Sequence, residues 1–317
     1  MAGTRVVIAE KGPPHSLVEA GGGRPRGPLA QTLFRTLRTP MGALGLALLS
    51  LLILAALLAP WIAPFSPIDQ LRGQELVPPG WPHLLGTDEF GRDLFSRIVF
   101  GARISLLVGV VAVGVGAGIG IPTGLVAGYF SGWLDAGIMR LWDVLLAFPG
   151  ILMGIAVITI LGAGAVNAAL ALAIVSIPQF SRLMRACVLV EREREYVQAA
   201  RCLGAADRRI ILRHILPNSL GPVLVQITIS MGFAVLLEAG LSFLGIGTQP
   251  PDPSWGSMLK DSRPYLGRAP WYGIWPGMAL AVLLLGLNYL TDALRDALDP
   301  RRINTASTRR KGGMGTT

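Results

Sequence analysis

Five uncharged runs constrain this chain more than any other feature. Residues 41–63, 104–134, 144–180, 215–237 and 269–291 contain no Asp, Glu, Lys or Arg. About 20 apolar residues, rising about 1.5 Å each, are enough for a helix to cross a bilayer. Every run reaches that length. The run 144–180 is too long for one span, and GAGAVN at 162–167 interrupts it with turn-forming residues. It reads as two helices and a tight turn, which makes six spans. The expected class is all-α and integral to a membrane. The spans are expected at about 41–63, 103–128, 137–161, 166–184, 215–244 and 272–293.

Charge supports this class and sets an orientation. The chain is 15% charged, against about 25% in soluble domains. Its formal net charge is +9. In a soluble protein that balance points to nucleic acid. Here the cations sit in tails and loops, as the positive-inside rule requires, so no nucleic-acid partner is expected. Arg5, Lys11, Arg24, Arg26, Arg35 and Arg38 precede the first span. Arg182, Arg185, Arg192, Arg194, Arg201, Arg208, Arg209 and Arg213 follow the fourth, and Arg301, Arg302, Arg309, Arg310 and Lys311 follow the sixth. Six spans put all three groups, and with them both termini, on the cytoplasmic side.

The chain divides accordingly. Residues 1–38 are rich in Gly, Pro and Arg and read as a disordered cytoplasmic tail. Residues 39–302 form the membrane domain, with external segments at 64–100 and 245–270, and 303–317 is a second cytoplasmic tail. The first span is longer than a secretory signal and reads as an uncleaved anchor. Cys187 and Cys202 fall on the cytoplasmic side, where a disulfide is not expected and buried thiols are. Two cysteines and three scattered histidines do not make a metal site.

In the first external segment, Thr87 and Asp88 look like a helix start. Leu94, Phe95, Ile98 and Val99 share one face of a short helix expected along the membrane surface, before Gly101 and Arg103 turn the chain into the second span. That span carries Gly109, Gly114, Gly116, Gly118, Gly120 and Gly124, small residues that let helices pack closely in lipid, and Pro122, an expected kink. Trp255, Trp271, Tyr272 and Trp275 fit an aromatic belt. Asp143 is expected at a helix end beside Arg140, and Asn167 in a turn. Glu238, near the end of the fifth span, and Asn288 are candidate solute-path residues.

Residues 196–218, YVQAARCLGAADRRIILRHILPN, form a polar island in this oily sequence. Tyr196, Ala199, Ala200 and Leu203 recur at i, i+3, i+4 and i+7, one apolar face of a short helix. Gly204 can adopt the left-handed conformation that ends it. Asp207 favours the start of a second helix, and Pro217 suits the first turn of the next span. Two short helices lying across the membrane face are expected, with a shallow alanine surface open to a soluble partner.

The segment resembles the EAA loop of permease subunits in ATP-binding-cassette importers. That pattern is Glu-Ala-Ala, three residues, Gly, nine residues, then Ile-x-Leu-Pro. Gln198, Ala199, Ala200, Gly204, Leu216 and Pro217 keep the spacing, while Gln198 replaces the acid and His214 takes the Ile place. Stretches at 86–106, 145–150, 239–259 and 294–301 are similar to the dipeptide/oligopeptide/nickel branch, in its C-type subunit. The resemblance covers roughly 33–302.

The resemblance implies a type I importer permease fold with a coupling loop at 188–217. It implies that Gln198, Ala199, Ala200, Arg201, Gly204, Ala205, Asp207, His214, Leu216 and Pro217 receive an ATPase. It further implies a heterodimer with a homologous permease, two cytoplasmic ATPase subunits carrying ATP and Mg, an external solute-binding protein, and surrounding membrane lipid. The expected solute is a di- or oligopeptide, with nickel or another small solute as the alternative. No lysine lies in a Gly-Lys-Ser/Thr phosphate loop, so the chain is expected to hydrolyse no ATP and to bind no cofactor. A stand-alone channel or secondary transporter would carry charges deep in several spans or an inverted repeat, and neither is evident. An intramembrane enzyme would need a motif such as His-Glu-x-x-His, which is absent.

Overall fold

The computed structural model describes residues 32, 34 and 36–298. The expected tails therefore lie outside the described residues, apart from 32, 34 and 36–38. The chain runs through α1 (Pro40–Leu57), α2 (Ala59–Ile62), α3 (Leu94–Phe130), α4 (Gly132–Leu146), α5 (Gly150–Leu161) and α6 (Ala165–Glu191). Then come α7 (Glu195–Cys202), α8 (Asp207–Ile210), a π turn (Ile211–Ile215), α9 (Leu216–Phe243), α10 (Trp255–Ser262) and α11 (Pro270–Leu298). Among the described residues no strand forms beyond one isolated bridge, Thr87 to Asp93.

Five helices are long and apolar enough to cross a membrane: α1, α3, α6, α11 and the stretch Asp207–Phe243. The sixth candidate, expected as one span at 137–161, is α4 and α5 together, bent by 88°. Pro149 explains the break, since it has no N–H to continue a helix and disfavours helical geometry in the residue before it. Its carbonyl accepts from Met153 N and so opens α5. Asn167 closes the other end of α5, donating to the carbonyls of Leu161 and Gly162 at 2.9 and 3.0 Å. That is the turn role expected for it.

α3 differs from expectation at its start. No separate surface helix precedes it. Asp93 caps α3 directly, accepting from Ser96 N at 2.8 Å and Ser96 Oγ at 2.7 Å, and the helix runs unbroken from Leu94 through Pro122. Gly101 does not turn the chain. It admits Trp255, whose Cδ1 would lie 3.2 Å from an added Cβ.

α3 and α6 form the central pair. Gly116, Gly120, Gly124 and Gly128 recur every fourth residue and present one bare stripe to α6. An added Cβ would fall 2.7 Å from Ser176 Cβ, 2.6 Å from Ile177 O and 2.7 Å from Val188 Cβ at Gly116, Gly120 and Gly128. In lipid, close backbone approach of this kind supplies the packing that hydrophobic burial supplies in water. Gly114 and Gly118 face open space instead. α9 packs on the pair through Val108, Ala112, Ala234 and Leu241. α1 crosses α11 where Gly45 meets Gly286.

The two ends of this bundle are built differently. At the α3 N-terminus, residues 64–93 and α10 fold over the helices. Trp255 and Tyr272, expected in an exposed belt, are both 0% exposed. Trp255 Nε1 donates to Ile98 O at 3.0 Å. Beneath this cover Asp88 accepts from Arg92 Nε at 2.5 Å and lies 3.4 Å from Arg97 Nε, while His83 bridges Asp93 and Gln74. At the α3 C-terminus the 188–217 loop crosses the bundle.

Candidate partner-docking site

The loop begins where α6 ends at Glu191. α7 carries one fully buried side chain, Val197, which joins Leu125, Tyr129, Met184, Val188, Ile210, Ile215 and Val223 in a compact cluster. Val197 pins α7 to α3 and α6. The stripe expected to be the apolar contact face, Tyr196, Ala199, Ala200 and Leu203, points largely outward: Leu203 is 88% exposed and Tyr196 40%. Only Ala200 is partly covered. Periodicity groups Tyr196, Ala199, Ala200 and Leu203 on one side but does not say whether that side or the one carrying Val197 faces the bundle.

Gly204 has φ +76°, the left-handed value expected of it. Gly204 N donates to Arg201 O at 2.9 Å and Ala205 N to Ala200 O at 3.1 Å, the paired closure of a Schellman turn. An added Cβ at Gly204 meets nothing within 4 Å. Its glycine is therefore required by backbone geometry, not by crowding within the chain.

Asp207 opens α8 and reaches inward. Tyr129, in the last turn of α3, donates its hydroxyl to Asp207 Oδ1 at 2.5 Å. The Arg201 guanidinium lies 5.4 Å from the Tyr129 ring centroid. The π turn then leads into α9, with Ile210 and Ile215 fully buried and Leu216 and Pro217 partly so. His214 is half-buried; its carbonyl accepts from Asn218 Nδ2 at 2.7 Å, and its ring stands 6.4 Å from that of Tyr196. Tyr196 donates to Glu191 and accepts from Asn218 at 3.2 Å. Partial burial, with the Glu191 bond adding to it, pushes the Tyr196 phenol up to about 12.

The expected loop residues thus sort into two layers. Gln198, Ala199, Arg201, Gly204 and Asp207 are exposed, while Ala200, Ala205, His214, Leu216 and Pro217 lie partly beneath them. Gln198 makes one long contact, Nε2 to Glu193 O at 3.3 Å. Val197 and Tyr129 are the residues that sequence reasoning missed. A lone valine among alanines and a tyrosine 78 residues away carry no motif.

The thiols depart from expectation: Cys187 is half-buried and Cys202 is exposed. Asp143 pairs with Arg182 rather than Arg140. Among the described residues no group of three metal-ligating side chains exists. Glu238 is fully buried at the opposite end, where its carboxylate accepts from Ser242 Oγ at 2.7 Å and Thr248 Oγ1 at 3.1 Å. It ties α9 to the turn after it. Asn288 is exposed on α11. The structure does not bring these two together in one site with the loop.

Residues 120–304 match the family described as binding-protein-dependent transport system inner membrane component. The chain belongs to that family. This transport component also matches, over residues 27–79, the N-terminal membrane domain of oligopeptide transport permease C. It is 45% identical to the dipeptide transport system permease protein DppC of Alkalihalophilus pseudofirmus, over 83% of this chain and 87% of the relative. It is 46% identical to the di/tripeptide permease DppC of Pseudomonas aeruginosa, over 84% and 90%. It is 44% identical to the glutathione permease GsiD of Escherichia coli, over 79% and 83%. An inward-facing MetNI methionine ABC transporter structure superposes with a TM-score of 0.54 at 19% identity, covering 64% of this chain and 97% of that one. The transport component is thus a multi-pass membrane protein with the type I importer permease fold.

Proposed function

We propose that this chain is one of two permease subunits of an ATP-driven importer of short peptides. Relatives named for dipeptide, di/tripeptide and glutathione transport match it at 44–46% identity, which supports a solute from the short-peptide class. The exposed α7 surface carries the rest of the reading. Tyr196, Ala199 and Leu203 stand outward on a short helix whose one fully buried side chain is Val197. Together Tyr196, Ala199 and Leu203 make a contiguous apolar patch on an otherwise polar loop, the kind of surface that a partner covers.

In this reading α7 and its Schellman turn seat in a cleft of a cytoplasmic ATPase subunit. The arginine-rich loop end faces the cytoplasm by the positive-inside rule. The capped end, with residues 64–93 and α10, faces an external solute-binding protein. A homologous permease completes the pathway, and ATP with Mg is held by the ATPase pair. Closure of the ATPases moves the loop, and the buried cluster passes that movement to α3 and α6. Gln198 in place of an acid means that the shape of the ledge carries the docking.

The test is Gly204→Trp in the assembled transporter. The substitution strains the left-handed backbone by about 1 kcal/mol and projects a large side chain from an open position, so the permease should still reach the membrane while ATPase subunits no longer co-purify and uptake is lost. Full uptake by this variant would remove the docking assignment.

A further inference from the structure

Tyr129 is the least expected residue at the loop end. It is 8% exposed, and its ring sits in the cluster that includes Val188, Val197, Ile210 and Ile215. A tyrosine ring can be buried as readily as phenylalanine, but its hydroxyl then needs a partner. That partner is Asp207, from the coupling loop itself, at 2.5 Å. Hydrogen bonds to an ionised acceptor are short and roughly twice as strong as neutral ones. Arg201, on the last turn of α7, lies over the same ring at 5.4 Å. Both short helices of the loop therefore close on one side chain of α3.

The residues around Tyr129 make its position stiff. Arg192 Nη1 donates to Gly128 O at 3.0 Å and also to Ser131, which ties the end of α6 to the end of α3. Arg185 holds Asp135 of α4 through two bonds of 2.5 and 2.6 Å. Gly128 brings α3 against Val188 with no side chain between them. From this clamped turn α3 runs 37 residues to the opposite end of the bundle. At about 1.5 Å per residue it is a rod of some 55 Å.

We infer that Tyr129 is a positioning residue for coupling, its hydroxyl holding Asp207 so that displacement of the loop displaces α3. The apolar cluster resists separation of loop and helix. It is non-directional, and it permits the loop to roll on the bundle. The Tyr129–Asp207 bond removes that freedom by fixing one direction. Loss of the hydroxyl leaves the loop seated and its partner docked, but loop movement is then partly dissipated as rolling. This inference rests on the docking role proposed for the loop.

The experiment uses the complete transporter in proteoliposomes, with its binding protein and a dipeptide. Tyr129→Phe removes one oxygen and keeps the ring. ATPase subunits should still co-purify with it, and ATP hydrolysis should stay within about twofold of the parent. Uptake should fall about tenfold, the size expected for loss of one charge-assisted hydrogen bond, so that less peptide is moved per ATP. Asp207 also belongs to the proposed docking surface, so Asp207→Ala is compared only in peptide moved per ATP hydrolysed: the double variant should show the same ratio as Asp207→Ala alone. Asp207→Asn keeps an acceptor and should recover part of the ratio. Unchanged uptake in Tyr129→Phe overturns the inference, as does a proportional fall of uptake and hydrolysis or additive loss in the double variant. Failure of the docking reading looks different: ATPase subunits would co-purify with Gly204→Trp whatever Tyr129→Phe does.

Discussion

Asp88 and Asp207 are both carboxylates beside an end of α3. Asp88 is 0% exposed and is enclosed by two arginines and two backbone N–H groups. Asp207 is exposed and makes one inward bond, to a tyrosine. The first arrangement ties 64–93 to the helix ends through charges that water cannot reach. The second leaves a loop that one short bond and one apolar cluster hold in place. A buried pair is expensive to break because each partner would be left uncompensated, whereas an exposed one exchanges readily with water. One end is therefore held by enclosed charges and the other by a single acceptor at the surface and an apolar cluster.

Removing the central charge of the closed end should break this contrast most severely. Asp88→Ala leaves Arg92 and Arg97 buried without their carboxylate and should cost about 3–5 kcal/mol. Thermal unfolding in detergent should register it as loss of most of the folded population. Asp207→Ala, measured in the same way, removes one part-buried hydrogen bond to a charged acceptor and should cost less, about 1.5–3 kcal/mol. Equal losses would mean that the two ends are not held differently.

The glycine stripe between those ends should come next. Gly120→Val would place a Cβ 2.6 Å from Ile177 O, a backbone atom that cannot step aside. Overpacking of this kind costs about 1–3 kcal/mol. Gly118→Val, on the open face of the same helix, should unfold close to the parent. Gly204→Ala is smaller again: its strain lies in a left-handed backbone, worth about 1 kcal/mol, and should appear as faster amide exchange confined to the loop.

Glu89 sharpens the picture of the closed end with the smallest effect. Burial raises its carboxyl above the ordinary carboxylate range. The folded chain then holds this proton more tightly than the unfolded chain, so the contribution is favourable below the unfolded pKa and is lost as pH rises through the folded one. Glu89→Gln should flatten that slope in pH-resolved thermal unfolding. At neutral pH it should leave stability equal to or above the parent, within about 1 kcal/mol.

How much of this is legible in the sequence follows from how local each determinant is. Bilayer thickness sets span length, so uncharged runs are enough to locate the helices. Gly204 is legible because a left-handed turn after a short helix favours one residue type. The start of α3 is not, because Gly101 looks like a turn when its neighbour Trp255 lies more than 150 residues away along the chain. The 88° break is hidden for a different reason: a proline within an apolar run signals either a kink or a full break. On α7, the period groups four residues on one side, but one valine opposite them carries no pattern, and only the surrounding helices decide which side is buried. Tyr129 has no local signal at all, because its partner lies 78 residues further along the chain, beyond four intervening helices.

The break between α4 and α5 also bears on how the chain enters a membrane. α4 has 15 residues and α5 has 12, and about 20 are needed to cross. Neither half is a sufficient insertion signal by itself. Only together do they reach the length and hydropathy of a span. A substitution that lowers the hydropathy of either half should therefore weaken membrane insertion of the whole pair.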